Sequence, residues 1–412
     1  MDQHIASAAR KLMARLDDFA HFSDEQGRLT RLYLSSAHKR AARQYIAWCA
    51  EIGLNAKIDA SGNVWARYEG KRSGAPALML GSHIDTVRDA GAYDGNFGVL
   101  AAISAVATVW QDFPYAIEII AFGDEEGVRF PQTLSGSRAI AGNFNPAALA
   151  GADADGITLA GALRNFGCNP DAIPAIARNP ADVMAYIELH IEQGPVLEAE
   201  NLAVGVVTAI NGAARFSVTV TGAAGHAGTV PMALRRDALA AAAEQITAIQ
   251  AHAAAIPDLV ATVGSLSVHP GAPNSIPGRV TYSIDIRAPE DAVRKQAITE
   301  LGAQLHQIAA RHRVQLSVTQ THEAAATPCA LWLQAQLADS VASQGIRPFH
   351  LPSGAGHDAM AVASLCPVGM LFVRCKGGIS HTPQESITQE DANIAVAVLM
   401  EFLRRFIPQQ EN

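Results

Sequence analysis

The sequence has little cysteine. Its five cysteines are scattered at positions 49, 168, 329, 366 and 375, and none forms a Cys-x-x-Cys pair. An odd number at irregular spacing argues against a disulfide framework and against a zinc site built from paired thiolates. The N-terminal residues also lack a basic stretch followed by an apolar one, which is the pattern of a secretory signal. We therefore expect a cytoplasmic protein whose cysteines serve packing.

The sequence also lacks a basic excess and a long apolar run. Lys and Arg number 31 against 39 Asp and Glu, giving a net charge of −8, which argues against a nucleic-acid-binding face. The longest apolar run covers residues 98–110 and stops at Gln111-Asp112, so it is too short to cross a bilayer. Hydrophobic residues still make up 49% of the 412 residues, enough for a large core in two or three domains.

Several common catalytic and nucleotide-binding motifs are absent or out of context. The sequence contains no G-x-x-x-x-G-K-[ST] loop and no G-x-S-x-G elbow, so neither a P-loop nor a serine hydrolase of that type is expected. Residues 354–359 fit G-x-G-x-x-A by letter. However, no N-terminal strand–helix unit precedes them and no acidic residue follows about 20 positions later. A dinucleotide site is therefore not expected.

Short buried strands alternate with helical segments through much of the chain. Four apolar runs each end in a polar or glycine-containing loop, at 77–80, 116–122, 185–191 and 368–373. Strands that are apolar on both faces and alternate with helices indicate a mixed, mostly parallel α/β sheet.

A middle segment follows a different pattern. Strand-like and helical stretches there follow the order strand, helix, strand, strand, helix, strand, at 215–221, 235–255, 259–268, 279–287, 290–311 and 314–319. This is the βαββαβ order of a ferredoxin-like α+β unit. We therefore predict a smaller α+β domain, residues 213–325, inserted into a larger α/β domain made of residues 1–212 and 326–412.

Histidine and acidic residues cluster in five segments that follow predicted core strands, at 81–86, 93–96, 123–127, 188–194 and 380–383. Ligand sites gather at the carboxyl ends of strands in open α/β sheets, and imidazole and carboxylate groups suit Zn²⁺, Mn²⁺ or similar ions. Taken alone, Asp94-Gly95-Asn96 is most often a turn and Glu125-Glu126 a solvated helix start. Five such segments in equivalent positions favour a metal site.

The residue types within these segments suggest separate roles. Two metal ions need a shared carboxylate, and Asp94 is the expected bridge. Asp85 lies two residues after His83 and is well placed to hold the other nitrogen of that ring. In the Glu125-Glu126 pair, one carboxylate can bind metal while its neighbour stays free as a base.

These segments resemble the M20 metallopeptidase family, and more narrowly its hydantoinase/carbamoylase branch. That branch contains N-carbamoyl-L-amino acid hydrolases, allantoate and ureidoglycolate amidohydrolases and β-ureidopropionases. The resemblance also rests on Gly-His-Ala-Gly at 225–228 and Pro-Ser-Gly-Ala-Gly-His-Asp at 352–358, and it extends from about Arg28 to the C-terminus. His190 marks the branch, since peptidases of the family carry a carboxylate at that ligand.

The resemblance implies two divalent metal ions in the larger domain. Zn²⁺ or Mn²⁺ are the expected ions, with Co²⁺ or Ni²⁺ as further candidates. His83 and His190 would bind one ion, Glu126 and His381 the other, and Asp94 would bridge them. Glu125 would be the general base, with Asp85 supporting the catalytic site.

The resemblance further implies that the inserted domain is a lid and a homodimerisation domain that supplies His226, Asn274 and Arg287 to the substrate. His226 would donate to the oxyanion, in its own subunit or across the dimer, although its glycine neighbours alone indicate a tight turn. Arg287 suits a bidentate grip on a substrate carboxylate, and an ion pair with Asp285 is the alternative. Asn274 fits a turn equally well.

Gln193, Gly356 and His357 complete the expected substrate-binding residues, with Gln193 and His357 at the carbamoyl end. The implied function is a metal-dependent amidohydrolase that cleaves the carbamoyl or ureido C–N bond of a small carboxylate, such as allantoate or an N-carbamoyl-L-amino acid. One alternative is an aminoacylase or dipeptidase of the same family, against which His190 argues. The other is a non-catalytic binding protein, which would normally have lost a ligand or the base. No nucleic-acid or membrane partner is expected.

Overall fold

The computed structural model describes residues 3–109 and 113–409, so Trp110 and Gln111-Asp112, which end the longest apolar run, lie outside the described residues. The chain divides into two compact units. The first comprises Met1–Thr208, Cys329–Leu351 and Ala355–Asn412, and the second comprises Ala209–Pro328 and Pro352–Gly354. The second unit begins and ends a few residues outside the predicted range 213–325. It also includes Pro352–Gly354, which the sequence pattern placed in the larger domain.

Strands and helices are distributed over both units. Within the described residues the strands are β1 (Ala56–Ile58), β2 (Val64–Tyr68), β3 (Ala77–His83), β4 (Ala116–Phe122), β5 (Val183–Ile191), β6 (Val204–Ile210), β7 (Gly212–Thr221), β8 (Gly225–His226), β9 (Val260–Thr262), β10 (Leu266–His269), β11 (Ser275–Ile276), β12 (Arg279–Ala288), β13 (Gln315–Ala324), β14 (Thr327–Pro328), β15 (His350–Ser353) and β16 (Val368–Val373). The α-helices are α1 (Gln3–Ala20), α2 (Ser36–Glu51), α3 (Asn96–Val109), α4 (Ser135–Ile140), α5 (Leu159–Phe166), α6 (Val196–Ala199), α7 (Ala238–Ala254), α8 (Asp291–Arg311), α9 (Leu331–Ser343), α10 (Ala359–Val362) and α11 (Gln389–Arg405). Short 3₁₀ helices lie at Pro146–Ala150, Pro170–Ile176, Pro180–Asp182, Met232–Leu234 and Lys376–Gly378.

A mixed sheet forms the centre of the first unit, in the order β1-β2-β4-β3-β5-β16-β6. The neighbouring strands β4, β3, β5 and β16 run parallel, whereas the pairs on either side of this group are antiparallel. Nearly every residue of these four strands is buried, as expected for parallel strands covered on both faces. The predicted mostly parallel centre of the sheet is therefore confirmed.

Helices cover this sheet and complete the core of the first unit. The helix α3 is apolar on nearly all sides and buried, and α1 and α11 pack against it. At the start of α11 the Thr388 hydroxyl accepts a hydrogen bond from the main-chain N–H of Asp391, which caps the helix. Each of the five cysteines is a free thiol. Within residues 3–109 and 113–409 no helix has the length and apolar character needed to span a membrane.

The second unit contains an antiparallel sheet in the order β10-β12-β7-β13, with β9 also paired to β12. The strand β12 alternates buried and more exposed residues, and its buried side chains join those of α7 and α8 in one core. The strand expected at 259–268 is split into β9 and β10 around Gly264, because glycine within a strand favours such an interruption. The short strands β8 and β11 pair with each other.

Candidate metal centre

The structure brings the five predicted metal ligands together at one edge of the central sheet. His83 ends β3 and His190 lies near the end of β5, while Glu126 and His381 follow β4 and β16, and Asp94 precedes α3. Because β3, β4, β5 and β16 are parallel neighbours, their carboxyl ends share one edge of the sheet. The fold of the first unit therefore explains why ligands separated by nearly three hundred positions converge.

Asp94 lies between two sets of ligand atoms. Its Oδ1 is 3.4 Å from His83 Nε2 and 3.1 Å from His190 Nε2. Its Oδ2 is 3.1 Å from His381 Nε2, which in turn is 3.7 Å from Glu126 Oε1. Each oxygen of one carboxylate thus faces a different set of ligands, which is the arrangement of a bridging carboxylate.

The residues present fit a divalent metal ion at each oxygen of Asp94. Within each set the ligand atoms all lie within 4.8 Å of one another, and further groups of this kind are His83–Glu125–Glu126 and Glu188–His190–His357. The Nε2 atoms of His83 and His190 are 3.4 Å apart and face the same carboxylate oxygen. Glu126 Oε1 is buried and has no hydrogen-bond partner. A cation between these nitrogen and oxygen atoms would satisfy them together.

Main-chain carbonyls orient the two buried histidines. His83 Nδ1 is 3.0 Å from the carbonyl oxygen of Asp85, and His190 Nδ1 is 2.9 Å from that of Ile191. An Nδ1–H that donates to a carbonyl leaves the lone pair of Nε2 directed towards Asp94, as metal binding requires.

The side chain of Asp85 differs from its predicted position. Its Oδ1 is 3.7 Å from His83 Nδ1, too far for a hydrogen bond. Instead the Asp85 carboxylate accepts from the main-chain N–H groups of Glu125 and Glu126, at 3.1 and 3.2 Å. The carboxylate therefore holds the segment that carries the predicted base, while the carbonyl of the same residue orients the imidazole.

Glu125 lies beside the first set of ligands. Its Oε2 is 4.0 Å from His83 Nε2, and its side chain is mostly buried. Burial raises the pKa of the Glu125 carboxyl well above its usual range, and the negative charge of Glu126 raises it further. Burial likewise raises the pKa of Glu126 to about 7. A carboxyl with a raised pKa is suited to exchange protons near neutral pH.

Three residues at this edge adopt a left-handed backbone conformation that is uncommon outside glycine. The φ angles are 68° at Asp124, 57° at Gln193 and 59° at His381. Such strain persists where the surrounding structure enforces it, and it is concentrated at functional sites. Here it turns the chain sharply just before Glu125 and at His381.

Gln193 contacts the Asp94 carboxylate directly. Its Nε2 donates to Asp94 Oδ2 at 2.8 Å and lies 3.3 Å from His381 Nε2. His357 is buried, with its ring centroid 4.5 Å from that of His190, and burial lowers its pKa well below the usual range. A Cβ built at Gly356 would lie 3.7 Å from Glu125 Oε1. These three predicted substrate-binding residues therefore lie close to the predicted metal ligands.

His226 and Asn274 are neighbours in the second unit. His226 pairs with Ser275 across β8 and β11, and the carbonyl of Asn274 accepts from the N–H of Ala227 at 2.9 Å. The main-chain N–H of Gly228 donates to His226 Nδ1 at 3.1 Å. The neutral ring must then carry its proton on Nε2, so the exposed edge of this imidazole is a hydrogen-bond donor.

Arg287 forms the ion pair that the sequence left as an alternative. Its Nε and one terminal nitrogen donate to the two oxygens of Asp285 at 2.8 and 3.0 Å, and its other terminal nitrogen donates to the carbonyl of Gly354 at 2.7 Å. Arg215 donates to the same Asp285 carboxylate at 2.9 Å. These residues line a cavity of about 590 Å³ in the second unit.

The sequence did not single out Glu385, a buried acid in contact with the Asp94 loop. It lies four residues beyond His381, and its Oε1 accepts from the main-chain N–H of Asp94 at 3.0 Å. No local pattern marks this glutamate, because an acid in a loop is usually solvated. In the sequence, only its position four residues after His381 pointed to this glutamate.

A family model and several known proteins match most of this chain. Residues 79–405 match the model of peptidase family M20/M25/M40. The chain is 40% identical over 426 residues to allantoate deiminase 2 of Glycine max, covering 95% of this chain and 88% of that protein. It is 42% identical over 377 residues to an N-carbamoyl-L-amino acid amidohydrolase of Geobacillus stearothermophilus, covering 90% and 92% of the two chains.

Solved structures agree with this assignment. An amidase of the hydantoinase/carbamoylase family from Burkholderia multivorans aligns with a TM-score of 0.90 at 32% identity, covering 96% of this chain and 97% of that one. The resemblance drawn from the motifs is thereby confirmed. With its motifs, its fold and its full-length relatives in agreement, the chain belongs to peptidase family M20/M25/M40 and is similar, within that family, to the hydantoinase/carbamoylase amidases.

Proposed function

We propose that this chain is a metal-dependent amidohydrolase that cleaves the carbamoyl or ureido C–N bond of a small substrate with a carboxylate. The observation that carries this proposal is the Asp94 carboxylate, whose two oxygens face two separate sets of imidazole and carboxylate ligands. Relatives named for allantoate and for N-carbamoyl-L-amino acids point to these compounds as the substrate class.

Two ligand sets would hold two divalent ions. His83, His190 and Asp94 would bind one ion, and Asp94, Glu126 and His381 the other. Zn²⁺ and Mn²⁺ suit imidazole and carboxylate ligands, and Co²⁺ or Ni²⁺ are further candidates. When bound, such ions polarise a carbonyl group and lower the pKa of water towards neutrality.

Glu125 is the proposed general base. As the water oxygen forms a bond to the ureido carbonyl carbon, a proton passes from the water to the Glu125 carboxylate. The C–N bond then breaks, and Glu125 returns the proton to the leaving nitrogen. Asp85 supports this step because its carboxylate holds the main chain at Glu125 and Glu126.

The second unit would supply groups that bind the substrate. His226, with its proton on Nε2, would donate to the carbonyl oxygen as negative charge develops there. Asp285 fixes the plane of the Arg287 guanidinium, and two of the five N–H groups stay available for a substrate carboxylate. Asn274, Gly356, His357 and Gln193 are proposed as further substrate contacts, the last two at the carbamoyl end.

We also propose that the second unit acts as a lid and as the dimerisation domain of a cytoplasmic homodimer, as the family resemblance implies. In the second unit, β13 pairs with β7 on one side only, most of its residues are exposed, and the side chain of Val318 is 40% exposed. An edge strand of this kind is a suitable surface for pairing with a second copy.

An ammonia-release assay tests the proposed reaction. Chelator-treated protein is supplied with Mn²⁺, Zn²⁺ or Co²⁺ and given allantoate, N-carbamoyl-alanine, N-carbamoyl-phenylalanine or N-carbamoyl-β-alanine. We expect metal-dependent release of ammonia from at least one of these compounds. Hydrolysis of an N-acetyl amino acid or a dipeptide alone would instead support an aminoacylase or dipeptidase. Metal binding without any turnover would favour a binding protein.

A further inference from the structure

Glu385 joins two loops that carry metal ligands far apart in sequence. The residue is only 4% exposed. Its Oε1 accepts from the main-chain N–H groups of Tyr93 and Asp94, at 2.8 and 3.0 Å, while its Oε2 is 2.8 Å from Ser380 Oγ. One buried carboxylate thus binds the main chain at the bridging residue and the side chain next to His381.

Ser380 extends this contact to the bridging carboxylate itself. Its Oγ is 3.1 Å from Asp94 Oδ2, the oxygen that faces His381, and 3.3 Å from Gln193 Nε2. The hydroxyl has one proton and therefore donates to one of the two carboxylates at a time. Glu385 and Ser380 consequently act on the orientation of Asp94 through both its main chain and its side chain.

The neighbouring loop is shaped to receive Glu385. A Cβ built at Gly91 would lie 2.3 Å from Cβ and 2.4 Å from Oε1 of Glu385, closer than two such atoms can approach. Only glycine at this position allows the glutamate to reach the N–H groups of residues 93 and 94. The close fit indicates a specific anchor rather than a chance contact of a loop side chain.

We propose that Glu385 is the positioning residue of the bridging carboxylate and that it determines how tightly the second ligand set, Asp94, Glu126 and His381, holds its metal ion. The inference rests on the proposed two-metal site. Groups that orient metal ligands typically contribute about 10–100-fold to metal affinity. The effect of Glu385 should fall mainly on the second ion, because Asp94 Oδ2 is the oxygen that Ser380 reaches.

Three substitutions and a control separate this role from general support of the fold. Both main-chain bonds end on the same oxygen, Oε1, so the single oxygen of Glu385→Gln can keep them while its amide nitrogen donates to Ser380 Oγ. Glu385→Ala removes all three contacts. Ser380→Ala removes the contacts of Oγ with Glu385, Asp94 and Gln193 but leaves the two main-chain bonds of Glu385 in place. Glu390→Gln is the matched control, because Glu390 is an exposed acid five residues along the chain.

The experiment measures Zn²⁺ binding to chelator-treated full-length protein by calorimetry against a competing chelator, together with the visible absorption spectrum of the Co²⁺-loaded protein. We expect two ions per chain in the wild type and in Glu390→Gln. Glu385→Ala should bind the second ion roughly 10–100-fold more weakly, with a changed Co²⁺ spectrum. Glu385→Gln should recover affinity to within a few-fold of the wild type.

The outcomes distinguish this inference from the proposed site. Fewer than two ions on the wild type would overturn the two-metal site itself. Two ions on the wild type, with unchanged affinity and spectrum in Glu385→Ala, would overturn the role of Glu385 alone. If Glu385→Ala does not fold, Ser380→Ala decides: a loss at the second ion supports the inference, and wild-type affinity contradicts it.

Discussion

Glu125 and Glu126 are adjacent acids with different surroundings. The carboxylate of Glu126 lies 3.7 Å from His381 Nε2, within the second ligand set, whereas that of Glu125 lies beside His83 without joining the bridge. Adjacency in the sequence alone does not show which of the two acids would bind metal and which would act as the base. The main chain turns at Asp124, and the N–H groups of Glu125 and Glu126 donate to the Asp85 carboxylate, so that Glu126 but not Glu125 reaches His381.

Substitution of each acid by its amide tests these two roles. Glu125→Gln should keep both metal ions and the fold but lower kcat by about 10²–10⁴-fold, because the amide cannot accept a proton from water. Glu126→Gln should instead lose metal from the second ligand set. Metal content by mass spectrometry and kcat from ammonia release check both outcomes. A near-normal rate in Glu125→Gln would assign the base to another residue.

Substitution of Asp94 tests its proposed role as the bridge between the two ligand sets. Asp94→Asn removes the negative charge shared by the two ligand sets, so both ions should bind more weakly, by roughly 10-fold or more. Calorimetric titration of the chelator-treated variant measures this change. If only one ion is weakened, Asp94 would be a ligand to that ion and not a bridge.

The grouping of the five proposed ligands was predictable at this scale, but several contacts around them were not. His83 and His190 lie at the ends of strands and Glu126 and His381 in the loops after strands, and strand positions follow from apolar periodicity. The direction of a side chain in a loop, such as that of Asp85, has no such periodicity. The Asp85 carboxylate therefore binds main-chain N–H groups instead of an imidazole, and Arg287 pairs with Asp285. The Asp285–Arg287 ion pair was the alternative that the sequence offered, whereas the contact of Asp85 depends on a rotamer that spacing does not specify.

The loop that follows β8 illustrates how an element positions a functional side chain. Arg235 donates from one terminal nitrogen to the carbonyl of Ala227 at 2.6 Å and from Nε to that of Val230 at 3.1 Å. These bonds close the loop next to His226. The tight turn that the glycines suggested is therefore also held by an arginine whose side chain binds main-chain oxygens.

Removal of that arginine should affect catalysis through His226. Arg235→Ala should lower kcat/KM by roughly 10-fold or more while metal content stays unchanged, because the proposed oxyanion donor loses its fixed orientation. The adjacent and exposed Arg236 offers a control, and Arg236→Ala should retain most of the activity. Equal losses in the two variants would indicate a general effect of positive charge on substrate binding.

At the level of elements, the mostly parallel centre of the larger sheet was predictable, because apolar strands that alternate with helices have few alternative arrangements. The break between β9 and β10 was not predicted, since a single glycine within a strand pattern gives only a weak signal. Assignment of Pro352–Gly354 to the second unit was also missed. That assignment depends on tertiary pairing such as the bond from the Asn211 N–H to the Ser353 carbonyl.

For the whole molecule, the proposed homodimer raises the question of which subunit each His226 serves. Glu125→Gln and His226→Ala chains, each inactive alone, should regain activity in mixed dimers if His226 acts across the dimer, because one of the two sites then has both groups. If His226 acts within its own chain, mixing restores nothing. The assay compares mixed and unmixed proteins after joint refolding. Small-angle scattering that shows a monomer under assay conditions would exclude the cross-subunit arrangement.

In the proposed site one carboxylate, Asp94, joins two metal positions at the edge of the central sheet. Anomalous diffraction from crystals of the Zn²⁺-loaded protein would locate both ions. We predict two peaks about 3.5–4 Å apart, one contacting His83, His190 and Asp94 and the other contacting Asp94, Glu126 and His381. A single peak that excludes Asp94, or two peaks that do not share it, would show that Asp94 is not a bridging ligand.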